Sequence, residues 1–308
     1  MEVLNSTVWF PDVLPGFEAA TLRFPADYDG PVTATLVRRR ANQPTRRAVL
    51  YLPGWTDYFF HVHLADEFNA HGYNFYALDL RKYGRSLAGV SHPNYCRDLH
   101  EYFPEISTAL QILTEQEGNQ WVVINAHSTG GLTSVLYADH GPERHRIRAL
   151  VLNSPFFDFN LNRRELLLIK TMASLAGVFP YLQLPSSHRP VPYMESIHAD
   201  HHGEWSFDLQ WRPLHGIPIY ASWLHAALQA KSQLRRGLAI QCPVLVLHSS
   251  ASVRGEKWNT GFQSADSVLN VEHIRQGSRF LGPNAVTCEV KDGMHDLVLS
   301  RADVRGQV

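Results

Sequence analysis

Cysteine is scarce in this 308-residue chain: Cys96, Cys242 and Cys288 stand far apart, without the close pairs that a zinc site or a disulfide framework requires. That usage fits a reducing cytoplasm. An excess of charge is missing too. Lys plus Arg number 28 against 29 Asp plus Glu, a net charge of −1, so no general field draws the chain to nucleic acid or anionic lipid, and a partner must be recognised locally. The N-terminal Met-Glu-Val-Leu-Asn-Ser-Thr lacks a basic region followed by an apolar core, so no secretion signal is expected there. Long apolar runs are also absent. The longest stretch, 166–182, contains Lys170 and meets Pro180; it is short and broken against the about 20 residues of a membrane span. It is expected to reach lipid transiently at most. With 44% hydrophobic and 19% charged residues, the composition excludes disorder, collagen and coiled coil, and leaves one large globular domain or two modest ones.

What is present is an alternation. Short β-branched runs at 48–52, 74–78, 121–125, 149–152, 244–247 and 286–290 each end in small, polar or turn-forming residues, and segments of helical period lie between them. This is the pattern of an α/β fold, a mostly parallel sheet with helices on both faces, whose ligands gather at the strand ends. Before it, 19–24 and 32–39 read as an antiparallel pair joined by a turn-rich 25–31, giving eight strands. Helices are expected near 60–71, 97–117, 131–140 and 268–281. The rhythm breaks after Pro155, where Pro180, Pro185, Pro190, Pro192, Pro213 and Pro218 crowd a segment rich in His, Trp and Tyr. Too long for a bare loop, 156–240 reads as an inserted helical cap, or lid, on a core made of 1–155 and 241–308. No internal repeat interrupts the chain.

The sharpest local signal is Asn125-Ala126-His127-Ser128-Thr129-Gly130-Gly131, between a buried strand and a helical segment. It reads as a nucleophile elbow: a serine at a tight strand-to-helix turn lifts its hydroxyl above the sheet, and its neighbours stay small because the two backbones pass close together. The blander alternative makes Ser128 a helix N-cap. Near the C-terminus, Asp292-Gly293-Met294-His295-Asp296 follows the last strand, which brings His295 over the sheet as a general base for a hydroxyl that is otherwise a weak nucleophile. A loop histidine without a role is the alternative there.

The acid is less direct, because Ser249-Ser250-Ala251-Ser252 follows the strand before it without a carboxylate. Asp266, just ahead of a helical segment, is the candidate that fixes the tautomer of His295; capping that helix is its alternative role, and Asp158 and Glu256 stand in reserve. Asp292 and Asp296 read as turn and helix-start residues. The oxyanion donors are expected in the backbone amides of Trp55, after Leu52-Pro53-Gly54, and of Thr129, after the nucleophile. A plain strand-ending turn with a core tryptophan is the alternative for 53–55.

Ser, acid and His in this chain order, with elbow and oxyanion turn, resemble the α/β-hydrolase superfamily from about residue 19 to 299. Asp79-Leu80-Arg81-Lys82-Tyr83-Gly84-Arg85-Ser86 is similar to the Asp-x-Arg-Gly-x-Gly-x-Ser turn of that family, with Lys82 in place of the first glycine. The insertion stands where monoacylglycerol-lipase-like and serine-aminopeptidase-like members carry their caps. Ala126 replaces the commoner first glycine of the elbow, Pro53 stands where many members have His, and the chain runs thirteen residues past His295, enough for a short final helix. The resemblance implies a serine hydrolase without metal or other cofactor. The expected substrate is a carboxylic ester with a medium or long acyl chain, such as a monoacylglycerol or lysophospholipid. Aminopeptidase chemistry on the same triad, or a non-catalytic binding protein of this fold, is the alternative.

Within the insertion, His198-Ala199-Asp200-His201-His202-Gly203-Glu204 resembles a metal cluster but lacks a convincing water-activating geometry, and reads as a polar segment. Trp205, Trp211 and Trp223 are candidates to line an acyl pocket; packing the insertion onto the sheet would account for them equally. The apolar 165–179 has the same two readings, a packed helix or a face for lipid or acyl chain. An aminopeptidase would need a carboxylate for the substrate's ammonium, for which Glu195 and Glu204 are the candidates.

Overall fold

A computed structural model describes residues 6–184 and 189–308. The first five residues, part of the segment read above for a secretion signal, and Pro185 lie outside the described residues. Among the described residues nine strands form one sheet: β1 (Phe10–Pro11), β2 (Glu18–Asp27), β3 (Gly30–Arg39), β4 (Arg47–Leu52), β5 (Asn74–Asp79), β6 (Trp121–His127), β7 (Ile147–Asn153), β8 (Val244–Ser249) and β9 (Ala285–Val290). Their order is β1-β2-β3-β5-β4-β6-β7-β8-β9. The first three are antiparallel to their neighbours and the rest run parallel. This is the α/β-hydrolase fold with one strand more than the eight expected. The addition is the two-residue β1, which pairs Phe10 with Ala19 and Pro11 with Glu18; two residues show no alternation, and a proline there is tolerated because the strand is an edge.

The helices are α1 (Val62–Ala70), α2 (Phe103–Gln111), α3 (Ser128–His140), α4 (Arg163–Ser174), α5 (Pro192–Ile197), α6 (Ala221–Leu234), α7 (Val271–Ser278) and the short α8 (Ala302–Arg305). Two differ from expectation in a way their end residues explain. The segment 97–117 is not one helix: Asp98 caps a 3₁₀ turn in a capping box with Glu101, α2 follows with Pro104 in its first turn, and a π turn over Ile112–Gln116 closes it. The helix expected from 268 starts at 271, because Asn270 caps it and Asp266 holds a separate turn before it.

β4, β5 and β6 are buried over nearly their whole length, as hydrophobic runs covered on both faces must be. After β4 the chain turns to one side to form β5, then crosses back to place β6 on β4's other flank. The carboxyl ends of β4 and β6 therefore flank the switch point of the sheet, where open α/β sheets take their ligands. Between β7 and β8, α4, α5 and α6 interrupt the alternation. Residues of α4 and α6 join the main core, whereas Tyr193, Met194 and Ile197 of α5, with Trp205, Phe207 and Trp211, form a second cluster on Tyr58, Phe60, Met294 and Leu299. That second cluster seats the insertion on the loops after β4 and β9.

Candidate active site

Ser128 follows β6 directly and opens α3, with φ of +51°. A serine in the left-handed region costs of order 1–3 kcal/mol, held by the surrounding packing. Gly130 shows why neighbours must be small: a Cβ there would lie 2.7 Å from the Leu52 carbonyl oxygen and closer still to that of Pro53. At Gly131 it would meet Pro155 Cβ at 2.7 Å. The carbonyl of Ser128 accepts from the Phe156 amide at 2.9 Å, tying the elbow to the end of β7.

His295 and Asp266, remote in sequence, meet at this serine. The Ser128 hydroxyl lies 3.1 Å from His295 Nε2, and His295 Nδ1 lies 3.0 Å from Asp266 Oδ2. A carboxylate only accepts, so Nδ1 carries the proton and leaves Nε2 to accept from the serine. Asp266 also performs the capping role: its Oδ1 accepts from the amides of Val268 and Leu269 at 2.9 and 2.7 Å. One oxygen fixes the turn while the other is aimed at His295. The reserve acids are elsewhere. Asp158 is paired with Lys231 and Arg235, and Glu256 is exposed.

The turn after β4 runs beside the elbow. A Cβ on Gly54 would come within 2.9 Å of Ser128 Cβ, so the peptide leading to Trp55 passes Ser128 closely. Thr56, itself at φ +52°, donates its amide to Asn94 Oδ1 at 2.9 Å, which pins the turn. Thr129 sits in the first turn of α3, whose amides have no acceptor within the helix.

The loop after β5 supports this turn from behind. Asp79 is fully buried and accepts from the Phe59 and Arg85 amides and from the Arg85 guanidinium at 2.9 Å. Lys82, where the related turn has glycine, takes the left-handed conformation at φ +65°, and its ammonium meets Asp29 at 3.1 Å and Asp27 at 3.2 Å. Those ion pairs hold a side chain where backbone preference favours none.

Of the three tryptophans expected to line an acyl pocket, Trp223 adjoins the site, its ring 4.1 Å from that of Trp55, with Phe156 and Phe159 on its other sides. Trp205 stacks on His63 and donates to the Leu299 carbonyl at 2.8 Å; Trp211 packs edge-on against Tyr58. These two fasten the insertion to the core. His198 is buried against Phe207 and accepts from the Asp200 amide, while His202 stacks on Trp258 and Glu204 pairs with Arg305. Asp200 and His201 are exposed, and Glu195 lies half-buried on α5.

Sequence reasoning missed the layer beneath. Asp57, His61, His127, Arg212 and Asp296 form one buried ionic cluster behind Ser128 and His295. Asp296 starts a 3₁₀ turn, as expected of it, but its other contacts lie in this cluster. His127 precedes Ser128 and Asp296 follows His295, whereas Asp57, His61 and Arg212 come from separate stretches of chain.

A family model described as serine aminopeptidase, S33, matches residues 43–253, a span that includes Ser128 and the insertion and ends before Asp266 and His295. No curated protein matches the sequence. Among solved structures, a soluble variant of monoglyceride lipase from Saccharomyces cerevisiae, in complex with a substrate analogue, is similar at 15% identity and a TM-score of 0.65, over 93% of this chain and 92% of that one. A monoacylglycerol lipase of Paleococcus ferrophilus is 19% identical with a TM-score of 0.65, over 88% and 95%. A highly thermostable carboxyl esterase from Bacillus coagulans, in complex with glycerol, is 15% identical with a TM-score of 0.68, over 94% of both chains.

Proposed function

Because the chain belongs to the serine aminopeptidase S33 family of α/β-hydrolases, we propose that it is a serine hydrolase cleaving carboxylic esters through an acyl-enzyme. The observation that carries this reading is the hydrogen-bonded line from Ser128 through His295 to Asp266, at 3.1 and 3.0 Å. Ser128 Oγ attacks the ester carbonyl as His295 Nε2 takes its proton, and Asp266 stabilises the imidazolium. The amides of Trp55 and Thr129 hold the oxyanion. Collapse of the tetrahedral intermediate expels the alcohol, protonated by His295. Water, deprotonated by the same imidazole, then releases the acid.

The acyl group is medium or long, as in monoacylglycerols and lysophospholipids. Support comes from the aromatic wall of Trp55, Phe156, Phe159 and Trp223 beside the nucleophile, which an apolar chain would cover. Residues 156–240 act as a cap over a core of 1–155 and 241–308, and Trp205 and Trp211 shape the substrate site by holding that cap. Leu167, Leu168, Val178 and Phe179 leave an exposed apolar face on the cap for transient contact with a lipid surface. Among the described residues no helix is long and apolar enough to cross a membrane. The three cysteines are free thiols, in keeping with a cytoplasmic site of action.

The family's description favours one second reading, cleavage of an N-terminal amino acid by the same triad. Its ammonium would need a free carboxylate. Glu204 is paired with Arg305 and Asp57 with Arg212, which leaves Glu195. The test is a panel of p-nitrophenyl esters, monoacylglycerols, lysophospholipids and aminoacyl anilides, assayed with the parent and with Ser128→Ala. The ester reading expects turnover rising with acyl length and lost in the variant; preference for the anilides would overturn it.

A further inference from the structure

The buried cluster behind the triad joins the segments on which catalysis depends. Asp57 and His61 belong to the loop that continues from the Trp55 turn, His127 immediately precedes Ser128, Asp296 immediately follows His295, and Arg212 comes from the insertion. All five are at most 3% exposed. Arg212 Nη1 meets Asp57 Oδ1 at 2.5 Å, and Asp57 Oδ2 lies 3.2 Å from His127 Nδ1. His127 Nδ1 is 3.8 Å from Asp296 Oδ2, which is 3.2 Å from His61 Nε2. Asn153 secures the other Asp296 oxygen at 2.7 Å.

Burial works against ionising Asp57 and Asp296, yet Arg212, His127 and His61 hold both carboxyls below their usual range. Burial likewise opposes charge on His127, and Asp296 and Asp57 outweigh it, raising that imidazole above its ordinary value. Both carboxyls thus face Arg212 and His127 within the cluster. Ligand atoms of Asp57, His61 and Asp296 lie within 4.8 Å of one another. Arg212 is further enclosed between the rings of Phe60 and Phe207, at 5.3 and 5.1 Å, so its guanidinium is fixed in place by the loop after β4 and by the insertion together.

We propose that Arg212 is a positioning residue for the hydrolysis: delivered by the insertion, it fixes Asp57, and Asp57 fixes both the turn bearing the Trp55 amide and the His127 backbone that carries Ser128. The seating of the insertion and the geometry of attack are then one event. The His127 ring, 4.8 Å from that of His295, and Tyr193 of α5, 5.5 Å from His295 on its edge, carry the same coupling to the base. This inference rests on the Ser128–His295 reading above.

The test compares the parent with Arg212→Met, Arg212→Lys and Arg212→Met/Asp57→Asn. It measures the rate of fluorophosphonate labelling, kcat per labelled site and KM for a soluble short-chain ester, and the melting temperature. Misplacing reacting groups by about 1 Å costs about 10²-fold in rate. Arg212→Met is therefore expected to lose about 10² in kcat and labelling rate with KM little changed, and Arg212→Lys to lose less. The double variant should lose no more than the single, because both groups act along one path. A kcat per labelled site equal to the parent's, with only the melting temperature lowered, would overturn the proposal. So would a change confined to KM, or losses that multiply in the double variant. If Arg212→Met does not fold, a full kcat in Arg212→Lys is the overturning result. A folded parent that takes no label would instead remove the hydrolase reading itself, a failure told apart because the other outcomes all require a labelled parent.

Discussion

Ser128 occupies a backbone conformation that its own side chain disfavours, and the carbonyls of Leu52 and Pro53 leave no room for a methyl group on Gly130. Gly130→Ala forces backbone against backbone, which no rotamer relieves, so calorimetry should register a loss of about 1–3 kcal/mol together with slower labelling of Ser128; unchanged stability would mean that β4 and α3 part more easily than their packing implies. Asp266 divides its two oxygens between a turn and His295, and Asp266→Asn keeps the shape while offering the wrong partner to Nδ1. Turnover should fall by about 10⁴-fold with the melting temperature little altered. Full activity would move the acid role to another carboxylate. Ser128 was legible because it follows β6 directly, and His295 because it lies in the loop after the last strand, in the chain order expected of this chemistry. Asp57, Arg212 and Asp296 were not, because burial of a charged side chain is decided by partners from other parts of the chain. Arg212, 155 residues from Asp57, carries no local mark of its pairing.

At the scale of elements, the central strands announce themselves as short hydrophobic runs, and the structure extends each of those runs by at most two residues at either end. Helix boundaries were harder, since they depend on side-chain caps such as Asn270 and Asn162 rather than on periodicity. α4 shows how one sequence pattern serves two environments: Ile169, Met172 and Ala173 are buried, whereas Leu167 and Leu168 are 67% and 54% exposed. Burying a leucine fully is worth about 1.5–3 kcal/mol, and 1.4 kcal/mol is tenfold in an equilibrium. Replacing Leu167 and Leu168 by Asp should therefore weaken adsorption to lipid vesicles at least about tenfold and slow hydrolysis of a dispersed monoacylglycerol, with rates on a soluble short ester unchanged. Equal loss on both substrates would assign these leucines to folding of the cap instead.

Across the whole molecule, the buried cluster links the insertion, the sheet and the C-terminal loop, and it makes stability depend on pH. His127 has a raised folded-state pKa, so its contribution is complete below the ordinary value of 6.5 and is lost as pH rises through the folded value. Asp57 and Asp296 have lowered values, so theirs is present above the ordinary 3.8 and is lost as pH falls. The cluster stabilises most between those limits. The melting temperature of the parent should decline from pH 6 to pH 9 more steeply than that of His127→Asn; parallel curves would show that His127 is not charged in the folded protein. Strand order, unlike strand identity, could not be read locally: that β4 lies between β5 and β6 is a long-range pairing, and the placing of Trp55 beside Ser128 follows from it.

The central claim is that residues 128, 266 and 295 form one acylating machine. Treating the folded protein with a fluorophosphonate and mapping the adduct by mass spectrometry tests it most directly. The expected result is one adduct per chain on Ser128, absent in Ser128→Ala and formed far more slowly in His295→Ala. A folded parent that gains no adduct, or gains it on another residue, would contradict the claim.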